Sequence, residues 1–427
     1  MKFCIITFGC KVNQYDSEAV SELLIKAGYD KVDNIFGADI VIFNSCAVTS
    51  ESLRKLKKSL NFVKKNNINA ILVIMGCVPQ AFPKVENDFK DVDILIGNSN
   101  KNRLVDILQN FIKAHQKIIS INSERADFSN FSISRFSERT RAFLKIEDGC
   151  NRFCSYCIIP YARGEITSKP IDEILCEVKK LGKNGYKEVT FVGINLSSFG
   201  IDIGLKLCDV VKAVSSVSDI KRIRLGSLEP DLVNEELLVN LSKNPKFCPQ
   251  FHLALQSGSN RILKSMRRRY TREDYLDIVN KINRLFKNPT ITTDLIVGFP
   301  GETEEDFKDS IKMIKKVGFL KAHVFPYSVR SGTLAADMPY QIPKDLKILR
   351  VKQAIAESQK QTKNVLTGFL GKCFPVLYES SQNDIYYEGY TPNYILVKVK
   401  SDKDIRGEII DTYIDSCEDG YCIGHLS

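Results

Sequence analysis

The sequence predicts an α/β protein with three parts: an N-terminal domain built on a parallel sheet, a central partial (β/α)6 barrel and a small C-terminal β-barrel. The length of 427 residues suits two or three domains. Strand-like and helix-like stretches alternate over most of the chain, which favours parallel sheets covered by helices. The end of the chain changes to short alternating strands with turn residues, as in a small barrel of about 60 residues.

The first domain is predicted over residues 1–118, and the serine-rich stretch 119–140, which shows little periodicity, is predicted to be a linker. The strands of the first domain are predicted over Lys2–Thr7, Asp39–Asn44, Ala70–Met75 and Val92–Ile96, and its helices over Ser17–Ala27 and Glu51–Val63. The carboxyl ends of such parallel strands meet at one edge of the sheet.

The central domain is predicted over residues 141–362 and the C-terminal barrel over residues 363–427. Six central strands are predicted: Ala142–Glu147, Glu188–Val192, Arg222–Leu225, Phe251–Leu255, Thr290–Val297 and Ala322–Phe325. A closed eight-unit barrel usually needs about 250 residues, so we expect an open barrel with its site at the carboxyl ends of the strands. A helix over Asp345–Lys363 leads into the last domain.

The composition narrows the class of protein. Hydrophobic residues make up 44% and charged residues 26%, which excludes wholesale disorder. The net charge of +10 suits a nucleic-acid partner. No apolar stretch approaches the roughly 20 residues of a membrane span, and no signal peptide is recognisable. We therefore expect a cytoplasmic protein without a membrane partner, in which thirteen cysteines indicate metal or redox chemistry.

One loop carries three closely spaced cysteines, Cys150, Cys154 and Cys157, directly after the first predicted strand of the central domain. A structural zinc site usually takes four ligands in paired short spacings. Three thiolates instead leave one iron of a four-iron cluster open for a cofactor or substrate. A zinc knuckle or incidental buried thiols are the alternatives.

Three further cysteines, Cys10, Cys46 and Cys77, are far apart in the sequence, but each follows a predicted strand of the first domain. If these strands are neighbours in a parallel sheet, the three thiols meet at one point of its edge. The alternative is that they are ordinary buried cysteines without a ligand.

The chain resembles a known family. Its CxxxCxxC loop, with an aromatic residue before the third cysteine, is similar to that of the radical S-adenosylmethionine superfamily. The stretches that resemble the methylthiotransferases of that superfamily, in family order, are Thr7–Glu18, Asn44–Thr49, Met75–Cys77, Ile159–Gly164 and, in a TRAM-like domain, Tyr386–Thr391. The resemblance covers essentially the whole chain.

The resemblance implies two 4Fe–4S clusters and S-adenosylmethionine as cofactors. Cys150, Cys154 and Cys157 would hold the cluster that binds S-adenosylmethionine, and Cys10, Cys46 and Cys77 the auxiliary cluster that carries the transferred sulfur. The residues expected around S-adenosylmethionine are Tyr156, Gly193, Asn195, Ser227, Glu229 and Gln256. No catalytic residues are expected beyond the cluster ligands, because the sequence offers no convincing acid–base pair.

Within the family, Gly-Cys-Lys-Val-Asn at residues 9–13 resembles the branch that modifies N6-threonylcarbamoyladenosine on the 3′ side of the tRNA anticodon. The isopentenyladenosine branch usually has Gln-Met-Asn at residues 11–13, and the branch acting on a ribosomal-protein aspartate usually has Pro-Lys-Asn. Both stay open as alternatives, as does a non-catalytic, metal-containing RNA-binding protein. The expected partners are tRNA, a low-potential electron donor of the flavodoxin or ferredoxin type, and a sulfur source.

Two basic features are candidates for contact with tRNA. Arg267, Arg268, Arg269 and Tyr270 form a dense run close to the expected site mouth, and Arg163 lies beside the cluster loop. The planar fork of arginine suits phosphate, and tyrosine can stack on an unpaired base. The alternative is a solvated run of charges. The C-terminal domain has a net charge of −5 from Asn364 onward, so its tyrosines either stack on RNA or pack against the barrel.

Overall fold

A computed structural model describes residues 1–82, 85–122, 128, 131–136, 140–383 and 385–427, and it confirms the predicted fold class. The N-terminal sheet has six parallel strands in the order β2-β1-β3-β4-β5-β6, as follows: β1 (Lys2–Thr7), β2 (Asp30–Lys31), β3 (Ile40–Ser45), β4 (Ile71–Gly76), β5 (Ile94–Ile96) and β6 (Ile118–Ser120). The helices of this domain are α1 (Lys11–Lys26), α2 (Ser50–Asn66), α3 (Cys77–Ala81), α4 (Val85–Asp88) and α5 (Leu104–Ala114).

The centre of this sheet is buried on both faces. Every residue of β3 is buried, as in the continuous apolar runs typical of parallel sheets. Helix α1 begins at Lys11, six residues before its predicted start at Ser17. Its first half is hard to recognise because Asn13 and Asp16, both buried, interrupt the apolar spacing.

The central domain is an open barrel of six parallel strands. Its strands are β7 (Arg141–Lys145), β10 (Glu188–Val192), β11 (Arg222–Leu225) continued by β12 (Ser227–Leu228), β13 (Gln250–Leu253), β14 (Thr290–Val297) and β15 (Lys321–Pro326). Two short strands outside this order, β8 (Glu147–Asp148) and β9 (Thr167–Ser168), pair with each other. The order is β7-β10-β11 and then β12-β13-β14-β15, with Gly226 between β11 and β12. The strand predicted over Phe251–Leu255 is β13, which ends at Leu253, two residues before the predicted end.

The helices of the central domain follow its strands along the chain. They are α6 (Ile159–Arg163), α7 (Ile171–Lys183), α8 (Leu207–Ser215), α9 (Glu235–Ser242), α10 (Asn260–Ser265), α11 (Arg272–Leu285), α12 (Glu304–Val317) and α13 (Lys344–Thr367). Among the described helices, none combines the length and apolar character that a membrane crossing requires.

The described part of the predicted linker packs between the first two domains. Phe128, Phe131 and Ile133 are buried. The Tyr15 hydroxyl of α1 lies 3.1 Å from the carbonyl oxygen of Phe131 and 2.9 Å from Glu177 of α7. The segment therefore fixes α1 against the barrel.

The C-terminal domain is a closed barrel in the order β16-β17-β18-β20-β19. Its strands are β16 (Cys373–Gln382), β17 (Tyr386–Tyr390), β18 (Leu396–Lys400), β19 (Ile409–Glu418) and β20 (Tyr421–Leu426). The rings of Tyr390 and Tyr394 stack 4.8 Å apart, and the Arg141 guanidinium of β7 lies over both. These two tyrosines pack against the central barrel, whereas Tyr386 is 53% exposed.

Candidate metal centres and cofactor site

The structure brings Cys10, Cys46 and Cys77 to the shared carboxyl edge of the neighbouring strands β1, β3 and β4. Cys10 immediately precedes α1, and Cys77 begins α3. Burial, followed by the charge of Cys77, raises the pKa of the Cys46 thiol to about 11, and Cys10 contributes as well. The three thiols therefore lie close enough to influence one another. We name Cys10, Cys46 and Cys77 the N-terminal triad.

The other three cysteines lie on the loop between β8 and α6. We name Cys150, Cys154 and Cys157 the loop triad. Ser155 anchors this loop: its backbone N–H donates to the Met266 carbonyl at 3.1 Å, and its hydroxyl donates to the Ser265 carbonyl at 2.8 Å. Burial raises the pKa of Cys150 to about 11 and that of Cys157 to about 12.

Glycines with positive φ precede one cysteine of the loop triad and two of the N-terminal triad: Gly149 (φ 87°), Gly9 (φ 107°) and Gly76 (φ 102°). This backbone region favours glycine. A Cβ on Gly9 would lie 2.7 Å from the Cys46 Cβ, and one on Gly149 would collide with the Glu165 carbonyl. Both triads therefore depend on turns that a larger residue does not fit.

Arg163, at the end of α6, links the central domain to the N-terminal triad. Its Nε donates to the Cys77 Sγ at 3.4 Å and its Nη2 to the Asn13 Oδ1 at 2.6 Å. Its Nη1 donates to Asp148 at 2.9 Å. The Arg163 guanidinium is buried and engaged by protein groups, and its contact with nucleic acid stays a prediction.

A buried network of charges surrounds Arg163. Asp16 of α1 pairs with Lys101 and Lys145, each at 2.6 Å, and with Arg163 at 3.3 Å. Burial favours the neutral acid, but the three cations outweigh it and hold the pKa of Asp16 well below its usual range. Sequence reasoning missed this network, because Asp16 and Arg163 are 147 residues apart and nothing local marks them as partners.

Arg268 plays the corresponding part at the loop triad. Its Nη1 donates to the Cys154 Sγ at 3.3 Å, and its guanidinium pairs with Glu229. The Tyr270 hydroxyl accepts from the Arg268 Nε at 3.1 Å and donates to backbone carbonyls. The side chains of Arg268 and Tyr270 are buried, and their contact with nucleic acid stays a prediction. Arg267 and Arg269 are exposed, and their contact with tRNA stays a prediction.

The predicted cofactor residues lie at the carboxyl ends of the barrel strands, next to the loop triad. Gly193 and Asn195 follow β10, Ser227 and Glu229 lie at β12, and Gln256 follows β13. Tyr156, within the loop, packs against the buried cluster of Ile262, Met266, Phe299, Tyr327 and Ala335. Their roles toward S-adenosylmethionine stay predictions.

Glu147 is a further polar residue at this edge that sequence reasoning missed. It is fully buried, and its Oε2 accepts from the Asn195 backbone N–H at 2.8 Å. Its Oε1 has no hydrogen-bond partner among the described residues. A Cβ on Gly193 would collide with this carboxyl group. Burial, together with the charge of Asp148, raises the pKa of Glu147 well above its usual value.

The donor sets fit iron–sulfur clusters better than single ions. Among the described residues, no three histidine, cysteine or acidic side chains are placed to hold one metal ion. Each triad supplies three soft sulfur donors and receives a hydrogen bond from one buried arginine, so a four-iron cluster held by three thiolates would keep one iron free for another ligand. Thiolates suit iron–sulfur clusters, and hydrogen bonds to sulfur tune their reduction potential.

Comparisons with known proteins agree with this site. Residues 144–314 match the model of the radical SAM superfamily, and residues 2–97 match that of the uncharacterized protein family UPF0004. A solved structure of TsrM from Kitasatospora setae, a radical S-adenosylmethionine methyltransferase with cobalamin and a [4Fe-4S] cluster bound, has a TM-score of 0.59 at 11% identity, covering 78% of this chain and 74% of that one. This likeness concerns the fold.

Two relatives match almost the whole chain. The tRNA-2-methylthio-N(6)-dimethylallyladenosine synthase of Acetivibrio thermocellus is 34% identical over 97% of this chain and 88% of its own length. The threonylcarbamoyladenosine tRNA methylthiotransferase MtaB of Bacillus subtilis is 34% identical over 96% of this chain and 92% of its own length.

The fold and the loop triad define a radical S-adenosylmethionine enzyme, in agreement with the family model. The near full-length relatives narrow this class: the chain belongs to the tRNA methylthiotransferases of that superfamily. It is therefore an enzyme that transfers a sulfur-containing group to tRNA, with S-adenosylmethionine and 4Fe–4S clusters as cofactors. This result excludes the non-catalytic alternative.

Proposed function

We propose that the protein converts N6-threonylcarbamoyladenosine, on the 3′ side of the tRNA anticodon, to its 2-methylthio derivative. The observation that carries this choice is the motif Gly-Cys-Lys-Val-Asn at residues 9–13, which resembles the threonylcarbamoyladenosine branch. The Bacillus subtilis relative with that printed activity supports it, because the match extends along both chains.

In this proposal, the loop triad holds the cluster that binds S-adenosylmethionine, and the N-terminal triad holds the auxiliary cluster. When bound, these groups supply the radical that activates the adenine C2–H bond and the sulfur that replaces the hydrogen. The chain's own task is to position and enclose them. Arg163 and Arg268 each donate to one cysteine sulfur, and buried charges hold both arginines in place.

The residues proposed to surround S-adenosylmethionine are Tyr156, Gly193, Asn195, Ser227, Glu229 and Gln256. The exposed Arg267 and Arg269 are proposed to contact tRNA phosphates. A low-potential donor of the flavodoxin or ferredoxin type and a sulfur source complete the reaction, which we place in the cytoplasm.

The second candidate substrate is N6-dimethylallyladenosine in tRNA. One observation favours it: several relatives at 34–36% identity carry that activity in their names. The two substrates share the reacting carbon and differ in the N6 substituent, which is anionic in the first and apolar in the second.

The test is mass spectrometry of tRNA nucleosides from cells with and without the gene. We expect 2-methylthio-N6-threonylcarbamoyladenosine to disappear without the gene and to return with the wild-type chain, but not with Cys10→Ala or Cys150→Ala. If cells without the gene instead lost only 2-methylthio-N6-dimethylallyladenosine, the result would contradict the proposed substrate and support the second candidate.

A further inference from the structure

The interior of the open barrel is lined by one polar face of its strands. In the parallel register, Glu188 pairs with Arg141 and Arg222, and Thr190 pairs with Phe143 and Arg224, so these side chains share a face. The opposite face carries buried apolar residues toward the helices: Ala142, Leu144, Val189, Phe191 and Ile223. The polar face therefore points into the barrel.

The other two domains contact the strands that border this interior. Helix α1 packs along β7, where Asp16 pairs with Lys145 at 2.6 Å. The C-terminal barrel covers the amino ends of the strands: Arg224 donates to the Pro392 carbonyl at 2.9 Å, and its guanidinium lies 4.8 Å from the centre of the Tyr394 ring. All three domains therefore contribute side chains around this interior.

Lys11, the first residue of α1, extends its ammonium group toward this inner face. The Nζ lies 5.3 Å from the centre of the Phe143 ring, and Arg141, Arg224, Glu188 and Tyr394 are close enough to influence its charge. Lys11 is exposed, so its ammonium group is accessible to a ligand.

Cations exceed carboxylates around Lys11. Glu188 is shared by Arg224 at 2.8 Å, Arg222 at 3.5 Å and Arg141 at 3.8 Å. Glu379 also pairs with Arg141. No carboxylate among the described residues forms an ion pair with Lys11. An accessible ammonium group without a carboxylate partner, close to Arg141 and Arg224, is suited to an anionic group of a ligand.

We propose that Lys11 binds the carboxylate of the threonylcarbamoyl substituent and so selects substrates whose N6 group is anionic. This inference rests on the proposed function and names the side chain that distinguishes its substrate from the apolar dimethylallyl group. Lys11 directly follows Cys10 of the N-terminal triad in the sequence.

The test uses an anticodon stem–loop RNA that carries N6-threonylcarbamoyladenosine, either as the free acid or as its neutral methyl ester. The reconstituted full-length enzyme is compared with Lys11→Gln, Lys11→Arg and the control Lys26→Gln, which removes an exposed lysine from the other end of α1. Two readouts are taken: methylthio product by mass spectrometry, and the dissociation constant of each RNA without S-adenosylmethionine. Thermal unfolding and iron content check that each variant is folded and loaded.

We expect the wild-type enzyme and Lys26→Gln to favour the acid over the ester by about tenfold to a hundredfold in both readouts, the range for one charge-assisted contact. Lys11→Gln should remove this preference, and Lys11→Arg should keep part of it.

Two other outcomes overturn the inference, and they differ in what they mean for the proposed function. If the wild-type enzyme modifies the acid but treats acid and ester alike, or if Lys11→Gln keeps the preference, Lys11 does not select the carboxylate and the proposed function stands. If the enzyme modifies only an RNA carrying N6-dimethylallyladenosine, the proposed function fails as well.

Discussion

The two cysteine triads offer the same donors but are assembled in different ways. The N-terminal triad draws one cysteine from the end of each of three strands that are neighbours only in the folded sheet. The loop triad lies within eight consecutive residues. The first site therefore requires the complete sheet, whereas the second requires one loop held on a barrel edge.

The triads also differ in how their arginines are held. Arg163 belongs to the central domain but donates to Cys77 of the N-terminal triad, within a buried network that includes Asp16 and Lys101 of the first domain. Arg268 donates to Cys154 of its own domain and pairs with Glu229 there. The N-terminal triad thus depends on contact between domains, and the loop triad does not.

The largest expected effect is on methylthio transfer. Cys46→Ala and Cys150→Ala each remove one thiol of a triad, and a cluster that loses a ligand is not held in a reactive form. We expect both variants to give no detectable methylthio nucleoside in tRNA by mass spectrometry. As a control, Cys176→Ala, which changes an exposed cysteine outside both triads, should retain activity. Transfer by either triad variant would show that its triad is dispensable.

The next effect is on stability and tests the dependence of the N-terminal triad on domain contact. Asp16→Ala leaves Lys101, Lys145 and Arg163 buried without their shared carboxylate, so the free energy of unfolding should fall by about 3–5 kcal/mol. Urea unfolding of Asp16→Ala and wild type measures this loss of free energy. The matched control Asp91→Ala breaks an ion pair with Lys64 in which Asp91 is 78% exposed, so it should cost at most about 1 kcal/mol. Equal losses would mean that the buried network does not hold the domains together.

A third effect concerns pH at the barrel interior. Burial opposes ionisation of Glu188, but its arginine partners lower its pKa from 4.5 to about 2. A lowered pKa in the folded state gives stability that is complete above about pH 4.5 and is lost as the pH falls toward 2. Wild type should lose about 3 kcal/mol more than Glu188→Gln across this range. Urea unfolding at several pH values measures this difference. If the stabilities of wild type and Glu188→Gln changed equally with pH, the lowered pKa of Glu188 would be contradicted.

The smallest effect comes from the turn that precedes the loop triad. Gly149→Ala adds a Cβ that collides with the Glu165 carbonyl at a positive φ, whereas Gly185→Ala adds one at φ 90° with nothing nearby. Gly185→Ala should lower the free energy of unfolding by about 1–2 kcal/mol, the cost of the backbone conformation alone. Gly149→Ala should lower it further. The difference in thermal stability between the two variants measures the destabilisation caused by the collision. Equal costs would mean that the loop relaxes freely.

Sequence patterns that are local were predictable. The strands Lys2–Thr7, Glu188–Val192 and Thr290–Val297 have the predicted bounds, because β-branched and aromatic residues dominate these stretches. The burial of Arg163 and Arg268 was not predictable. An arginine resembles a solvent-exposed residue until its carboxylate and sulfur partners, distant in sequence, are known.

The central claim is that the two triads perform separate tasks, and the most direct test measures 5′-deoxyadenosine, the product of S-adenosylmethionine cleavage, in reconstituted Cys46→Ala and Cys150→Ala enzymes under reductant. Cys46→Ala, with its loop triad intact, should still form 5′-deoxyadenosine, and Cys150→Ala should form none. Loss of cleavage in a folded Cys46→Ala enzyme that retains the loop-triad cluster, or cleavage by Cys150→Ala, would contradict the division of tasks.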